Sequence, residues 1–172
     1  MKLPEFSYCP KCGGSLGYHT IKIQEPKRLQ CQACQFIFFL DPKVAAGTII
    51  SHKGQILLLK RGIEPSYGKW VFPGGFVDRG EKLEDAAIRE TQEECLITVA
   101  INRLLGVYSY AEYPVIIIVY VADLIRGEPA VGDETLEVKY FDPSHLPWDD
   151  LAFPSTNQAL RDFLAQEEDS KI

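Results

Sequence analysis

No stretch constrains this chain more than Gly74-Gly75-Phe76-Val77-Asp78-Arg79-Gly80-Glu81 and the segment that follows it to Leu96. Its pattern is G-x5-E-x7-R-E-x2-E-E, carried by Gly75, Glu81, Arg89, Glu90, Glu93 and Glu94. A helix takes roughly 3.6 residues per turn, so Glu90, Glu93 and Glu94 fall within one narrow sector of one face. Like charges at that spacing repel and weaken an isolated helix. A chain that gathers three of them there calls for a cation, and hard carboxylate oxygens suit Mg2+ or Mn2+. Gly74-Gly75 allows a tight turn with close backbone approach to a ligand, and frees a Gly75 carbonyl as a further ligand. Glu81 sits near the helix start, where the dipole favours a carboxylate. Arg89 is a fixed cation that can orient one acid through a bidentate pair.

These residues and spacings resemble the Nudix box, and the chain is similar to Nudix hydrolases. The resemblance implies metal-dependent cleavage of a nucleoside diphosphate linked to another group. It covers 42–165 and implies an α/β fold, the Nudix α/β/α sandwich with a mixed sheet. One position departs from the pattern. Where the family carries a glycine two residues after the last acid, this chain has Leu96. A glycine there would end the helix in a left-handed conformation, so the substitution bears on the helix end and not on the acids. The alternative for the whole segment is a solvated acidic helix face.

Ahead of the box stand Cys9-Pro10-Lys11-Cys12 and Cys31-Gln32-Ala33-Cys34. Two C-x2-C pairs at this separation are the pattern of a tetrahedral four-cysteine zinc site. The segment between them, 18–29, alternates weakly and suits a small hairpin. So short a region has little core of its own, and a metal would supply the missing stability. Four thiolates leave no open position, which makes Cys9, Cys12, Cys31 and Cys34 structural ligands. Disulfides or a thioredoxin-type motif are the alternatives. Cys95, at the end of the acidic helix, suits a small core residue, and His19 a surface position. Asp41-Pro42 then breaks the chain, because a residue before proline leaves helical geometry. The division is a small β zinc ribbon over 1–41 and a Nudix domain over 42–172.

The net charge of −6 is unevenly spread. Residues 1–40 hold five bases and two acids and are net +3, whereas the remainder, with 13 bases and 22 acids, is net −9. An acidic domain does not draw nucleic acid by its field, so phosphate binding would need metal ions between the partners. The longest apolar run, 115–122, is strand length and falls far short of the ~20 residues that span a bilayer. The start lacks the apolar core of a signal peptide. Together these lead to the expectation of a cytoplasmic protein without membrane contact. Its partner would be a small nucleoside diphosphate derivative, not nucleic acid, with a homodimer suggested by resemblance.

Beyond the box, 44–50 and 55–60 read as strands around a Lys53-Gly54 turn. A strand is expected over 98–107, an aromatic loop over 108–114, and a central apolar strand over 115–125. Residues 126–134 read as a mobile acidic loop. A further strand spans 136–141, and a final helix is capped by Ser155 or Thr156. Substrate contacts are assigned to Gly74 and Gly75 at the turn, and to the aromatic residues Tyr67, Trp70, Tyr108, Tyr110 and Phe153, with Tyr113 a further stacking platform. Glu90, Glu93 and Glu94 would hold the metal together with Gly75, and Glu81 would ligate it or orient water. The general base is one of the box glutamates, or Glu134 or Glu137 from the later loop.

A zinc ribbon ahead of a Nudix domain resembles two subgroups, the NADH and NAD-cap pyrophosphatases and the ADP-ribose/FAD pyrophosphatases. The stretches 64–70 and 151–155 look closer to the second. The motif Ser-Gln-Pro-Trp-Pro-Phe-Pro of the first is missing, and the corresponding loop reads Ser109-Tyr110-Ala111-Glu112-Tyr113-Pro114. The expected reaction is hydrolysis of ADP-ribose or FAD to AMP plus a phosphorylated product. NADH or NAD-cap cleavage, a triphosphate-sanitising hydrolase and a non-catalytic zinc-ribbon binding module are the rival readings.

Overall fold

The structure is a computed structural model and describes residues 6–169. It contains two compact units, Met1–Pro42 and Lys43–Ile172. In the first, strands β1 (Leu16–His19), β2 (Arg28–Cys31) and β3 (Ile37–Phe38) form an antiparallel sheet in that order. Leu29, Cys9 and Cys31 are its buried residues, which is a very small core.

The second unit is built on β4 (Lys43–His52), whose sequence alternates nothing: nearly every residue from Ala45 to Ile50 is buried. A strand buried on both faces reads this way because helices cover both sides of its sheet. The other elements are β5 (Gln55–Arg61), β6 (Trp70–Val71), β7 (Gly74–Phe76), α1 (Leu83–Cys95), β8 (Thr98–Tyr110), β9 (Tyr113–Arg126), β10 (Thr135–Phe141) and α2 (Pro154–Asp169). The sheet runs β10-β5-β4-β9-β8, with β6 on β5 and β7 on β4. Only the pairing of β4 with β9 is parallel, so the sheet is mixed.

Successive residues of β4 and β5 point to opposite layers. Ile49, Ile56 and Leu58 pack with Phe72, Val119 and the α2 residues Ala159, Leu160 and Phe163. Ile50, Leu57 and Leu59 pack on the other side with Val71, Cys95, Ile97 and Val99. Ala86 and Ala87 of α1 sit over Ala46, Ile118 and Tyr120, small residues that let the helix approach the sheet closely. This is an α/β/α sandwich. At the seam the Thr48 and Thr91 hydroxyls lie 2.7 Å apart, and Thr91 Oγ1 donates to the Ala87 carbonyl, which satisfies two buried polar groups.

Four local expectations change. The middle strand is β4, not β9, which lies next to the edge strand β8. The aromatic segment 108–114 is strand, with only Ala111 and Glu112 left between β8 and β9, because the irregular register of the pair lets β8 continue to Tyr110. Ser155 and Thr156 lie inside α2, which begins at Pro154, a residue whose missing N–H costs nothing in the first turn. The carbonyl of Phe153 receives the N–H groups of Thr156 and Asn157.

The fourth change concerns the acidic loop. Instead of moving freely, it is fastened to the end of α1. The N–H groups of Ala130, Gly132 and Asp133 donate to the carbonyls of Cys95, Glu94 and Glu93. These are carbonyls that a helix end leaves without partners inside the helix. Leu96 itself adopts the left-handed conformation, with φ 56°, and its N–H donates to the Gln92 carbonyl. The helix therefore ends as a glycine would end it, with a leucine held in a strained backbone.

Candidate active site

The strand β7 pairs along the first half of β4 and lays Gly74 and Gly75 beside α1. Glu94 points into this junction. Its Oε2 accepts a 2.8 Å bond from the Gly74 N–H. Gly75 has no room for a side chain, since a Cβ there would lie 2.5 Å from the Glu90 carboxylate. Glycine is required here by close approach rather than by a special φ.

Arg89 organises the acids around it. Its Nε and Nη2 donate to the two Glu81 oxygens at 2.8 and 3.0 Å, a fork on a carboxylate. Its Nη1 donates to Glu90 Oε1 at 2.8 Å and to Glu93 Oε2 at 3.1 Å, and Nη2 also donates to the Phe76 carbonyl. One guanidinium thus ties Glu81, in the loop before α1, to Glu90 and Glu93 on the helix. This pairing holds the Glu81 carboxyl down at about 2, helped by the Asp78 N–H.

Glu94 stands differently. Burial pushes its carboxyl up to about 8, against the bond from Gly74, and the nearby Glu90 adds to the rise. Burial likewise raises Glu90, opposed by Arg89. Desolvated carboxylates raised in this way stabilise a bound cation, because a cation restores the charge balance that water no longer supplies. By helical spacing Glu90, Glu93 and Glu94 share one side of α1 and offer hard oxygens of the kind Mg2+ and Mn2+ take, but among the described residues only the four cysteines bring ligand atoms within 4.8 Å of one another.

Glu134 reaches the same region from the fastened loop. Its backbone is left-handed, with φ 60°, and its carbonyl accepts from the Gly62 N–H at 2.6 Å. Its charge is close enough to raise Glu94 and to support Arg61. Glu137 lies on β10 just past a register shift, opposite Lys60, and is exposed. Arg61 is a residue the sequence reading did not single out. It ends β5, its Nε donates to the Pro65 carbonyl, and its guanidinium stands 5.1 Å from the Phe153 ring centroid. Burial lowers its pKa while Glu94 and Glu134 oppose the drop. Nothing in the run Leu57-Leu58-Leu59-Lys60-Arg61 distinguishes it from an ordinary strand end.

The aromatic residues divide. Trp70 and Tyr108, expected to meet substrate, are each only 7% exposed and belong to the core. Trp70 sits edge-on to Phe141, and the Tyr108 hydroxyl donates to Asp162 at 2.9 Å. Neither offers a free ring face, because α2 and the end of β10 cover them. Tyr67 is exposed in the loop after β5, Tyr113 is half-exposed, and Tyr110 and Phe153 are partly open.

In the first unit the four sulfurs of Cys9, Cys12, Cys31 and Cys34 gather within 4.8 Å of one another, and the thiols are free. Neighbouring sulfurs are 3.3–3.8 Å apart. That is far beyond a disulfide and near the ~3.8 Å that four thiolates around one tetrahedral zinc require. The Lys11 N–H donates to Cys9 Sγ and the Cys34 N–H to Cys31 Sγ, the latter bond holding the Cys31 thiol down at about 6. Backbone donors to sulfur favour thiolates, the form that binds metal.

Comparison with known proteins agrees with both units. Residues 41–165 match the NUDIX domain model, and residues 7–39 match the model for the Nudix N-terminal zinc ribbon. The chain is 38% identical to the ADP-ribose pyrophosphatase of Methanocaldococcus jannaschii, over 76% of this chain and 78% of the relative. It is 31% identical to a putative 8-oxo-dGTP diphosphatase of Bacillus subtilis, over 72% and 80%. The crystal structure of a NUDIX hydrolase from Nitrosomonas europaea superposes with a TM-score of 0.85 at 34% identity, covering 91% of this chain and 89% of that one. With a clustered set of acids on α1, a glycine turn against it and a family match over most of its length, the chain belongs to the Nudix hydrolases and is a pyrophosphatase carrying an N-terminal Nudix zinc ribbon.

Proposed function

We propose that this enzyme hydrolyses the diphosphate of an ADP-containing nucleotide, ADP-ribose or FAD, to AMP plus ribose 5-phosphate or FMN. The observation that carries the reading is the packing of Glu94 and Glu90 against the Gly74-Gly75 turn, with Arg89 holding Glu81 and Glu93 beside them. The similarity to an ADP-ribose pyrophosphatase supports the substrate class.

In this reading Glu90, Glu93 and Glu94, with the Gly75 carbonyl, would hold Mg2+ or Mn2+, which when bound would supply charge neutralisation at the diphosphate and a lowered pKa for water. The chain's own groups do the rest. Arg89 fixes the acids in one geometry, so little reorganisation is needed when charge develops. Glu81 orients water next to that cluster. Glu134, placed by the loop bonded to the end of α1, is positioned to take the proton of the attacking water, and one of the box glutamates is the other candidate. Water adds to one phosphorus and the anhydride oxygen leaves with the other phosphate, so each product carries a terminal phosphate. Zinc is structural: bound by four cysteines, it holds the ribbon, which forms a domain over 1–41 ahead of the catalytic domain over 42–172.

The test is kcat/KM for ADP-ribose, FAD, NADH, a nucleoside triphosphate and a diadenosine polyphosphate, with Mg2+ and with Mn2+ and with product analysis. An optimum on ADP-ribose or FAD, releasing AMP, is expected. An optimum on NADH moves the enzyme to the other zinc-ribbon subgroup. An optimum on the triphosphate with release of pyrophosphate contradicts both.

A further inference from the structure

Glu134 has a left-handed backbone, with φ 60°, although it carries a full side chain. That conformation is disfavoured for any residue with a Cβ. The side chain is exposed, so its own packing does not repay the strain. A residue stays in such a conformation only where the surrounding backbone dictates it.

The backbone dictates it from three sides. Before Glu134, the N–H groups of Gly132 and Asp133 are bonded to the end of α1. After it, Thr135 is buried and pairs with Arg61 at the end of β5, and its Oγ1 donates to the Asp133 carbonyl at 3.3 Å. The next pair is Glu137 with Lys60, so Leu136 is an extra residue on β10 that faces no partner of its own on β5. Such a bulge re-aims the chain that enters the strand.

The third side is Gly62, the residue that follows β5. Its N–H donates to the Glu134 carbonyl at 2.6 Å. A Cβ on Gly62 would lie 2.8 Å from that carbonyl oxygen and 3.0 Å from the carbonyl carbon. The listed neighbours are backbone atoms, which cannot rotate away as a side chain can. Any other residue at 62 would push the Glu134 main chain outward by several tenths of an ångström, so glycine is needed here for close approach.

We propose that Gly62 is a positioning residue for Glu134. By letting the end of β5 press against the Glu134 main chain and by donating to its carbonyl, it sets where the Glu134 carboxylate stands relative to the acids of α1. It touches no reacting atom and acts through Glu134. The proposal rests on the reading of Glu134 as the group that takes the proton of the attacking water. A base must come within hydrogen-bond reach of that proton, and a misplacement of about 1 Å can cost about 10²-fold in rate.

The test is a double-mutant cycle on the full-length enzyme. Wild type, Gly62→Ala, Glu134→Gln and the double variant are compared with Mg2+ on the best substrate of the panel above. Glu134→Gln should lower kcat by about 10²-fold or more, the scale of a lost general base. Gly62→Ala should lower kcat by about ten- to hundred-fold and leave KM within about two-fold. In the Glu134→Gln background it should lower kcat no further, because the group it positions is gone. A Gly62→Ala enzyme with wild-type kcat, or a fall of equal size in both backgrounds, overturns the positioning role while the proton-acceptor reading of Glu134 stands. Wild-type kcat in Glu134→Gln removes that reading and the proposal with it. A second measurement needs no folded Gly62→Ala protein. In wild type the Gly62 amide should resist hydrogen exchange as the strand amides of β5 do, and free exchange of that amide in the folded enzyme overturns the proposal.

Discussion

At the scale of single residues, Leu96 and Glu81 allow clean tests. Leu96 holds a left-handed backbone that costs an ordinary residue about 1–2 kcal/mol, while its side chain is half-exposed and gives little back. Leu96→Gly should therefore raise stability by about 0.5–1 kcal/mol, after allowing for the greater freedom of glycine in the unfolded chain. Denaturant midpoints would show it, and a loss of stability would mean that the leucine packs more than its exposure indicates. Glu81 behaves in the opposite way. Its folded pKa, about 2, lies below the ordinary value of 4.5, so it stabilises the fold above pH 4.5, and that contribution is lost as pH falls toward 2. The stability gap between wild type and Glu81→Gln should be full at neutral pH and should close on acidification. A gap that persists at pH 2 would assign the effect to something other than the Arg89 pairing.

At the scale of elements, the end of α1 matters most. The loop after β9 supplies N–H groups to three carbonyls of that end, and Gly132 touches the helix so closely that a Cβ would collide with the Glu93 carbonyl. Gly132→Ala should destabilise by about 1–3 kcal/mol, the range for overpacking that moves backbone. It should also slow turnover, because the same loop carries Glu134. Melting curves and steady-state rates measure the two effects, and an unchanged Tm would show that the loop is free. This fastening was not legible in the sequence, where Gly127-Glu128-Pro129 and Gly132-Asp133 look like a mobile loop, because a cap made of backbone N–H groups leaves no mark on side-chain pattern. The box was legible for the reverse reason: charge periodicity on α1 and the glycines before it are side-chain facts. So was the cysteine cluster, whose spacing is set by metal geometry. Arg61 and the burial of Trp70 and Tyr108 depend on which strand neighbours which, and no local pattern records that.

At the scale of the whole molecule, the two units draw on different sources of stability. The second unit has apolar layers on both faces of a seven-stranded sheet, whereas the first has three small strands and a buried core of Leu29 and two cysteines. A core that small does not hold a fold alone. Purified protein should carry about one zinc per chain, and a strong chelator should erase hydrogen-exchange protection over 7–39 while leaving 43–165 protected. Protection of the ribbon after complete zinc loss would contradict a structural role. Among the described residues no helix is long and apolar enough to cross a membrane, and the acids of α1 form the candidate active site of the second unit. That site is where the account is most exposed to failure. Glu94→Gln keeps the shape of the side chain and can keep the bond from Gly74, yet removes a charge from the cluster. With Mg2+ and ADP-ribose, kcat should fall by about 10²–10³-fold, the scale of a lost electrostatic stabiliser, while the melting temperature stays at the wild-type value. Turnover within a few-fold of wild type, with the fold intact, would contradict the assignment of catalysis to the acidic face of α1.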